Sequence, residues 1–154
     1  MERVFKALKD FILADMNGEL ALFEDDAASL PPLSERAVVF GAIDPLKMTG
    51  DTLCSIYPET IEDDPDMIDG LDRFNAKVSV TFLCRGAKYE ELMARACRYA
   101  RAFKRAAQKD WSLGGRVEDA RVEMFEFFPD CGIAEKQATA CEISLIVTLE
   151  EEEK

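Results

Sequence analysis

The stretch 59–72, ETIEDDPDMIDGLD, holds the densest group of side chains that could bind a metal ion. Its acids are Glu59, Glu62, Asp63, Asp64, Asp66, Asp69 and Asp72. Closely spaced carboxylates suit calcium, but an EF-hand loop also needs a glycine at its sixth position and a glutamate at its twelfth. Counting from Asp64, these positions hold Asp69 and Asn75. The pattern fails as a calcium site, and we predict an acidic loop that binds no metal.

The chain contains no histidine, which removes the commonest general base and the commonest zinc ligand. Serine–histidine–aspartate and cysteine–histidine nucleophiles therefore cannot be assembled within one chain. Paired carboxylates could transfer protons. However, the acids lie in predicted loops and in a C-terminal tail, where no apolar setting would raise their pKa. We expect no catalytic residue, no cofactor and no enzymatic activity.

The cysteines do not indicate a disulfide, metal or redox site. They are Cys54, Cys84, Cys97, Cys131 and Cys141. The odd count and the lack of a close pair disfavour a disulfide framework or a metal site. Cys97 falls on the apolar stripe of a predicted helix, and Cys84 and Cys141 fall on apolar faces of predicted strands. We interpret them as buried reduced thiols that act as small hydrophobes.

The segment 88–109 concentrates positive charge. Its basic residues are Lys88, Arg95, Arg98, Arg101, Lys104, Arg105 and Lys109, against two acids, Glu90 and Glu91. The segment therefore carries +5, which leaves −17 for the rest of a chain whose net charge is −12. Like charges three and four residues apart repel one another on a helix, so this arrangement has a cost.

Three interpretations of this basic helix stay open: an interface, a solvated face, and a nucleic-acid contact. A patch of one sign on a molecule of the opposite sign suits head-to-tail association with a second copy, which we favour. The candidate interface residues on the helix are Arg95, Arg98, Arg101, Arg105 and Lys109.

The composition bounds the class of protein. A chain of 154 residues is expected to form one domain, here 1–149. The net charge of −12 argues against non-specific nucleic-acid binding and against anionic membrane surfaces. No apolar run approaches the roughly 20 residues that a membrane helix needs. The first residues, MERVFKALKDFI, are charged throughout and do not form a secretory signal, so we expect the protein in the cytoplasm of the cell that makes it.

The N-terminal half predicts one helix and two strands. Apolar residues at helical spacing indicate a helix over 1–16, which Asn17-Gly18 would end. The Pro31-Pro32 pair places a loop over 24–35. The run ERAVVFGAI, 35–43, is rich in β-branched and aromatic residues and predicts a strand, and a second strand over 52–57 would stop at Pro58. We expect these two strands to form a hairpin.

The C-terminal half has clearer periodicity. Alternation predicts strands over 73–85, 116–128 and 138–149, and a helix over Tyr89–Lys109. In 116–128, Ala120, Val122, Met124 and Phe128 are expected on one face, and Arg121, Glu123, Phe125 and Phe127 on the other. Residues 150–154 form an acidic tail that we expect to be disordered. The predicted fold is α+β, a mostly antiparallel sheet with two helices on one face, in the order α-β-β-β-α-β-β.

The runs AKVSVTFLCRG, KYEELMARACRYARAFKRAA, SLGG, VEDARVEMFEFF and TACEISLIVTLEE together resemble small tail terminator, or tail completion, proteins of tailed bacteriophages and prophages. Related neck and minor tail proteins share this pattern. An early helix precedes a sheet, and a helix after a central strand returns through a glycine turn into a final hairpin. The resemblance covers residues 1–16 and 70–150.

The resemblance implies a structural role in the virion, with assembly in the cytoplasm of the bacterial host. Such proteins form rings, commonly hexamers, that end the tail tube and join it to the head connector, while DNA passes through the lumen without specific binding. The acidic loop 59–72 would then supply ring contacts, with Glu62, Asp63, Asp64 and Asp66 as candidates. Two rivals remain: another neck or minor tail protein, and a monomeric host binding module or small enzyme.

Overall fold

The computed structural model describes residues 1–23, 30–42, 48, 50–63, 71–86, 88–128 and 137–152, without the side chains of residues 63, 71, 72, 151 and 152. The helices are α1 (Glu2–Phe11), a π-helical turn (Ile12–Met16), α2 (Asn17–Leu20), a 3-10 turn (Glu35–Ala37) and α3 (Tyr89–Lys109). The strands are β1 (Val38–Phe40), β2 (Thr52–Asp63), β3 (Leu71–Gly86), β4 (Asp119–Phe128) and β5 (Gln137–Glu152). The α+β class and the predicted order of elements are confirmed.

The N-terminal helix is longer than predicted, because Asn17 does not end it. The helical backbone continues through the π-helical turn into α2. The Asn17 side chain donates to the carbonyls of Leu13 and Leu33, both at 3.0 Å, and accepts from the Leu33 N–H at 2.9 Å. An asparagine that normally favours a helix end thus fastens the segment 30–33 to the helix.

The sheet has five strands in the order β1-β2-β3-β5-β4. β2, β3, β5 and β4 pair antiparallel, but β1 pairs parallel to β2, with Val38 opposite Cys54 and Phe40 opposite Ile56. The predicted hairpin is therefore wrong. A parallel neighbour needs a connection that crosses over the sheet. Met48, within that connection, packs against Leu83 on the sheet face away from the helices.

Pro58 does not stop β2, which continues to Asp63. A proline is tolerated where no neighbouring strand needs its N–H, or beside a bulge. Both conditions apply: β1 pairs with β2 only as far as Ile56, and the register shifts between Pro58 and Thr60. The predicted acidic loop 59–72 therefore begins as strand, and β3 starts at Leu71.

The two helical layers cover one face of the sheet, as predicted. α3 has the predicted bounds, Tyr89–Lys109. Its buried face is broad and includes Tyr99, Ala102 and Ala106. The Tyr99 ring stacks on Phe82 at 5.9 Å, and its hydroxyl donates to the Pro31 carbonyl at 2.9 Å. The helix thus packs against both the sheet and the N-terminal segment.

The predicted faces of β4 are wrong beyond Val122. A bulge between Val122 and Met124 shifts the register with β5. Met124 now lies opposite Ser144, and Phe125 lies opposite Ile143 in the core. Phe125 and Phe127 therefore share the helix-covered face with Val122, and Met124, Glu126 and Phe128 share the other.

β5 is the best-predicted strand, although it runs three residues past Leu149. Its alternate residues Thr139, Cys141, Ile143, Leu145, Val147 and Leu149 are all buried. Glu150 continues the strand opposite Arg73, and the two side chains approach to 3.8 Å. Because β3 supplies a paired edge as far as Leu71, the first three residues of the predicted disordered tail are strand.

Candidate assembly surfaces

The basic residues of α3 do not form one uninterrupted solvated stripe. Arg95, near the start of the helix, donates to the Thr52 hydroxyl at 3.0 Å. Lys109, at its end, is paired with Glu19 of α2, whose side chain is buried. These two of the five predicted contact residues therefore hold the helix to the rest of the same chain.

The middle of the helix keeps its charge at the surface. The Arg101 and Arg105 guanidinium groups lie over the Phe23 ring, with centroid distances of 5.5 and 4.8 Å. Lys104 lies over the Phe125 ring at 5.4 Å. A cation over an aromatic face is attracted without being neutralised. We name the half-buried Arg98 and the exposed Arg101, Lys104 and Arg105 the basic helix face.

The predicted acidic contacts are only partly described. Glu62 is exposed near the end of β2, opposite Asn75. Asn75 accepts a 2.7 Å hydrogen bond from Thr148, which lies between the core residues Val147 and Leu149 and therefore points away from the helices. Glu62, opposite Asn75, lies on the same face. Asp63 belongs to β2, without a described side chain, and Asp64 and Asp66 lie outside the described residues. The role of the acidic loop in ring contacts stays a prediction.

The sheet face away from the helices, which we name the open face, carries small hydroxyl residues in its middle. Ser55, Ser79 and Ser144 lie here and are nearly covered by their neighbours. Because their side chains are short, a groove of about 400 Å³ runs between taller residues. Its lining comprises Ala42, Ser55, Tyr57, Glu59, Ser79, Thr81 and Glu142. Two of these lining residues, Glu59 and Glu142, place carboxylates on its walls.

Glu59 is tied into one wall of this groove. It accepts a hydrogen bond from the Ser79 hydroxyl, and Lys77 approaches the carboxylate to 3.3 Å. The Ser79 hydrogen bond, aided by Lys77, lowers the pKa of Glu59 against the opposing effect of partial burial. Glu59 is therefore a fixed negative charge at neutral pH.

Glu142 lies on the other wall with less support. Its described partner is the Thr81 hydroxyl, at 3.4 Å. The residue directly opposite on β4 is Glu126, and like charges in opposed positions on neighbouring strands destabilise a sheet. This pair keeps an unfavourable concentration of negative charge on the open face.

Large apolar side chains share the open face with Glu126 and Glu142. Tyr57, Met124 and Phe128 are 47%, 50% and 37% exposed and share the open face. Along β4 the order on this face is Met124, Glu126, Phe128. Exposed apolar residues grouped together mark interaction sites in folded proteins. We name Tyr57, Met124, Glu126, Phe128 and Glu142 the acidic–apolar face.

The sequence did not predict this surface, because Met124 and Phe128 of β4 were assigned to the same face as Ala120 and Val122. The apolar end of β4, MFEFF, was a signal, since such a run exceeds what one covered face needs. The bulge between Val122 and Met124 decides which face each of these residues occupies, and no residue pattern in the sequence indicates it.

The described cysteines agree with the predicted inert role for three residues. The Cys54, Cys84 and Cys141 thiols are buried, whereas Cys97 is half-buried. Burial raises the pKa of Cys54, and it raises the pKa of Cys141 to about 12. Such thiols stay protonated and unreactive. Cys131 lies outside the described residues.

Within the described part of the chain, no three cysteine or acidic side chains are grouped so as to hold a metal ion. In the same ranges, no helix has the length and apolar character needed to cross a membrane.

No protein-family model matches the chain, and no curated protein matches it by sequence. Among solved structures, it is similar to a chain of a "Virion of native gene transfer agent (GTA) particle", with 16% identity and a TM-score of 0.53 over 90% of this chain and 94% of that chain. It also aligns with the sheath/tube terminator of PVC, an extracellular contractile injection system, in its extended state. That alignment covers 100% of this chain and 58% of the other, at 12% identity and a TM-score of 0.44, too low to establish a common fold. The fold shared with a virion component agrees with the sequence resemblance to virion proteins of tailed phages.

Proposed function

We propose that this protein is a non-enzymatic structural component of a phage or phage-like particle. In this role it assembles with copies of itself into a ring, ends the tail tube and joins it to the head connector. The observation that carries the proposal is the fold, shared along nearly its full length with a virion component. The sequence resemblance to tail terminator proteins supplies the position in the particle.

The surfaces support self-association. A basic helix face on one side and a negative, partly apolar open face on the other are features of a molecule that meets protein partners, because single-sign patches and exposed apolar groups are costly if left in water. A net charge of −12 also favours a ring lumen that DNA crosses without sticking, since tight phosphate binding requires clustered lysine and arginine.

The test is deletion of the gene in the cell that makes the particles, with electron microscopy of the lysate. A terminator that stops tube polymerisation is needed for uniform length, so its loss should give overlong tubes that carry no heads. Complementation with the intact gene should restore the normal length.

Tubes of normal length without heads would instead identify a neck protein, the first rival. Finished particles that lack this protein would exclude a virion role altogether. A gene neighbourhood free of tail and head genes would point the same way and would favour a host binding module or small enzyme.

A further inference from the structure

We propose that the acidic–apolar face is the docking surface for the basic helix face of a second copy of this chain. This contact deepens the proposed ring and rests on it, because it specifies which two surfaces meet between neighbours. The element that lies on this face is then α3 of the adjacent copy, and its arginine side chains reach Glu126 and Glu142.

Charge complementarity is the first support. Glu126 and Glu142 lie opposite each other across β4 and β5, so each intensifies the field of the other. A guanidinium group offers several donors in a flat fork that matches carboxylates. An arginine from a neighbour would turn an unfavourable pair of like charges into a favourable cluster, which explains why the pair lies on this face.

The apolar rim is the second, independent support. Met124 and Phe128 lie on either side of Glu126 along β4, and Tyr57 lies across the groove from Glu142. All three side chains expose apolar surface. Arginine and lysine have long aliphatic stems that cover such surface while the charged end reaches a polar group, and guanidinium groups also stack on aromatic rings. Arg101 and Arg105 already lie over an aromatic ring within their own chain. A basic helix can therefore cover the apolar side chains with the aliphatic parts of its arginines and bring their charged ends to the two glutamates.

The placement of the two surfaces determines how copies would associate. α3 packs on the helix-covered side of β3 and β5, whereas the acidic–apolar face lies on the opposite side of the same sheet. Each copy therefore offers its helix to one neighbour and its open face to the next. A contact between two different patches repeats head to tail, and it closes into a ring when the rotation allows.

Two charge-reversed chains test this contact. The face-reversed chain carries Glu126→Lys and Glu142→Lys, and the helix-reversed chain carries Arg101→Glu and Arg105→Glu. Matched controls reverse exposed charges elsewhere: Glu2→Lys with Glu118→Lys, and Lys6→Glu with Arg36→Glu. Circular dichroism and thermal unfolding check that every chain is folded. Association is measured by sedimentation at low ionic strength, where charge contacts are strongest.

We expect each reversed chain alone to associate at least about tenfold more weakly than wild type, because like charges then face each other, and the controls to match wild type. Mixing the two reversed chains in equal amounts should restore assembly, since each positive face then meets a negative helix. The alternating order allows only even numbers of copies. A single chain that carries all four substitutions should assemble as well.

The outcomes separate the contact from the ring. If the wild type assembles and the reversed chains assemble equally well, or if mixing restores nothing, this contact is wrong while the ring stands. If the wild type stays monomeric at every concentration, self-association fails, and with it both this contact and the ring-forming part of the proposed function. The deletion experiment in the producing cell stands apart from both results.

Discussion

The two faces of the sheet are built from the same strands and have opposite characters. On the helix-covered face, Phe82, Ile143 and Leu145 are fully buried. On the open face, one residue along, Ser79, Thr81 and Glu142 line a groove. The two faces share the same hydrogen-bonded strands, so the difference between them lies in the side chains alone.

This difference separates stability from function. The covered face holds one continuous apolar core together with both helical layers, and burial of such side chains is the main source of folding free energy. The open face carries features that stability does not need, namely opposed glutamates and exposed aromatic rings. Features that cost stability and persist are expected at functional surfaces.

The largest effect should come from emptying the covered face. Phe103 is buried between Phe11, at 5.3 Å between ring centroids, and Phe82, at 6.2 Å. Phe103→Ala would leave a cavity and should lower the free energy of unfolding by about 3–5 kcal/mol. The matched change on the open face, Met124→Ala, should alter it by less than about 0.5 kcal/mol. Urea denaturation of both variants measures the contrast.

Comparable losses for Phe103→Ala and Met124→Ala would show that the open face is already packed within the monomer. That result would remove the distinction between the faces and the reason for assigning a partner to one of them.

A smaller loss in the free energy of unfolding should follow from removing the Asn17 side chain, which holds the segment 30–33 against the N-terminal helix. Asn17 makes three hydrogen bonds, to the Leu13 carbonyl and to both backbone groups of Leu33. Asn17→Ala would leave these groups partly unsatisfied and should cost about 2 kcal/mol. The neighbouring Gly18 is exposed and helical, with nothing near a new Cβ atom. Gly18→Ala should therefore stabilise the protein by about 0.5–1 kcal/mol. Equal effects of the two variants in thermal unfolding would contradict a tether at Asn17.

The smallest effect concerns the groove and depends on pH. The Glu59 carboxylate has a pKa below its ordinary value of 4.5 in the folded state, chiefly because Ser79 donates to it. Its contribution is therefore present above pH 4.5 and is lost as the pH falls through the lowered pKa. Glu59→Gln should lower the free energy of unfolding by about 0.5–1 kcal/mol at pH 7, with the gap closing below pH 4.5. A gap that stays constant from pH 7 to pH 3 would rule out this coupling.

The sequence predicted the elements whose pattern is uninterrupted. α3 lacks glycine and proline, and its bounds are as predicted. β5 alternates without a break, and its covered residues are the predicted ones. In both cases the period of the apolar residues is sufficient, because each element packs along its whole length.

Three features escaped prediction, each because the deciding interaction is distant or leaves no mark. β1 pairs parallel to β2 and does not form the predicted hairpin, because its place depends on which edge of the assembled sheet is free. β2 passes through Pro58 because β1 ends before it. The bulge in β4 decides whether Met124 or Phe125 is covered. The basic helix face could be predicted from composition, whereas the surface that we propose opposite it could not.

The most direct test of the account is the mass of the wild-type protein in solution. Light scattering coupled to size exclusion would be run over a range of protein and salt concentrations. We predict a closed assembly whose mass is a whole-number multiple of 17.3 kDa and that falls apart as the ionic strength rises. A particle of 17.3 kDa at every concentration, even at low salt, would contradict the claim that copies of this chain are made to fit one another.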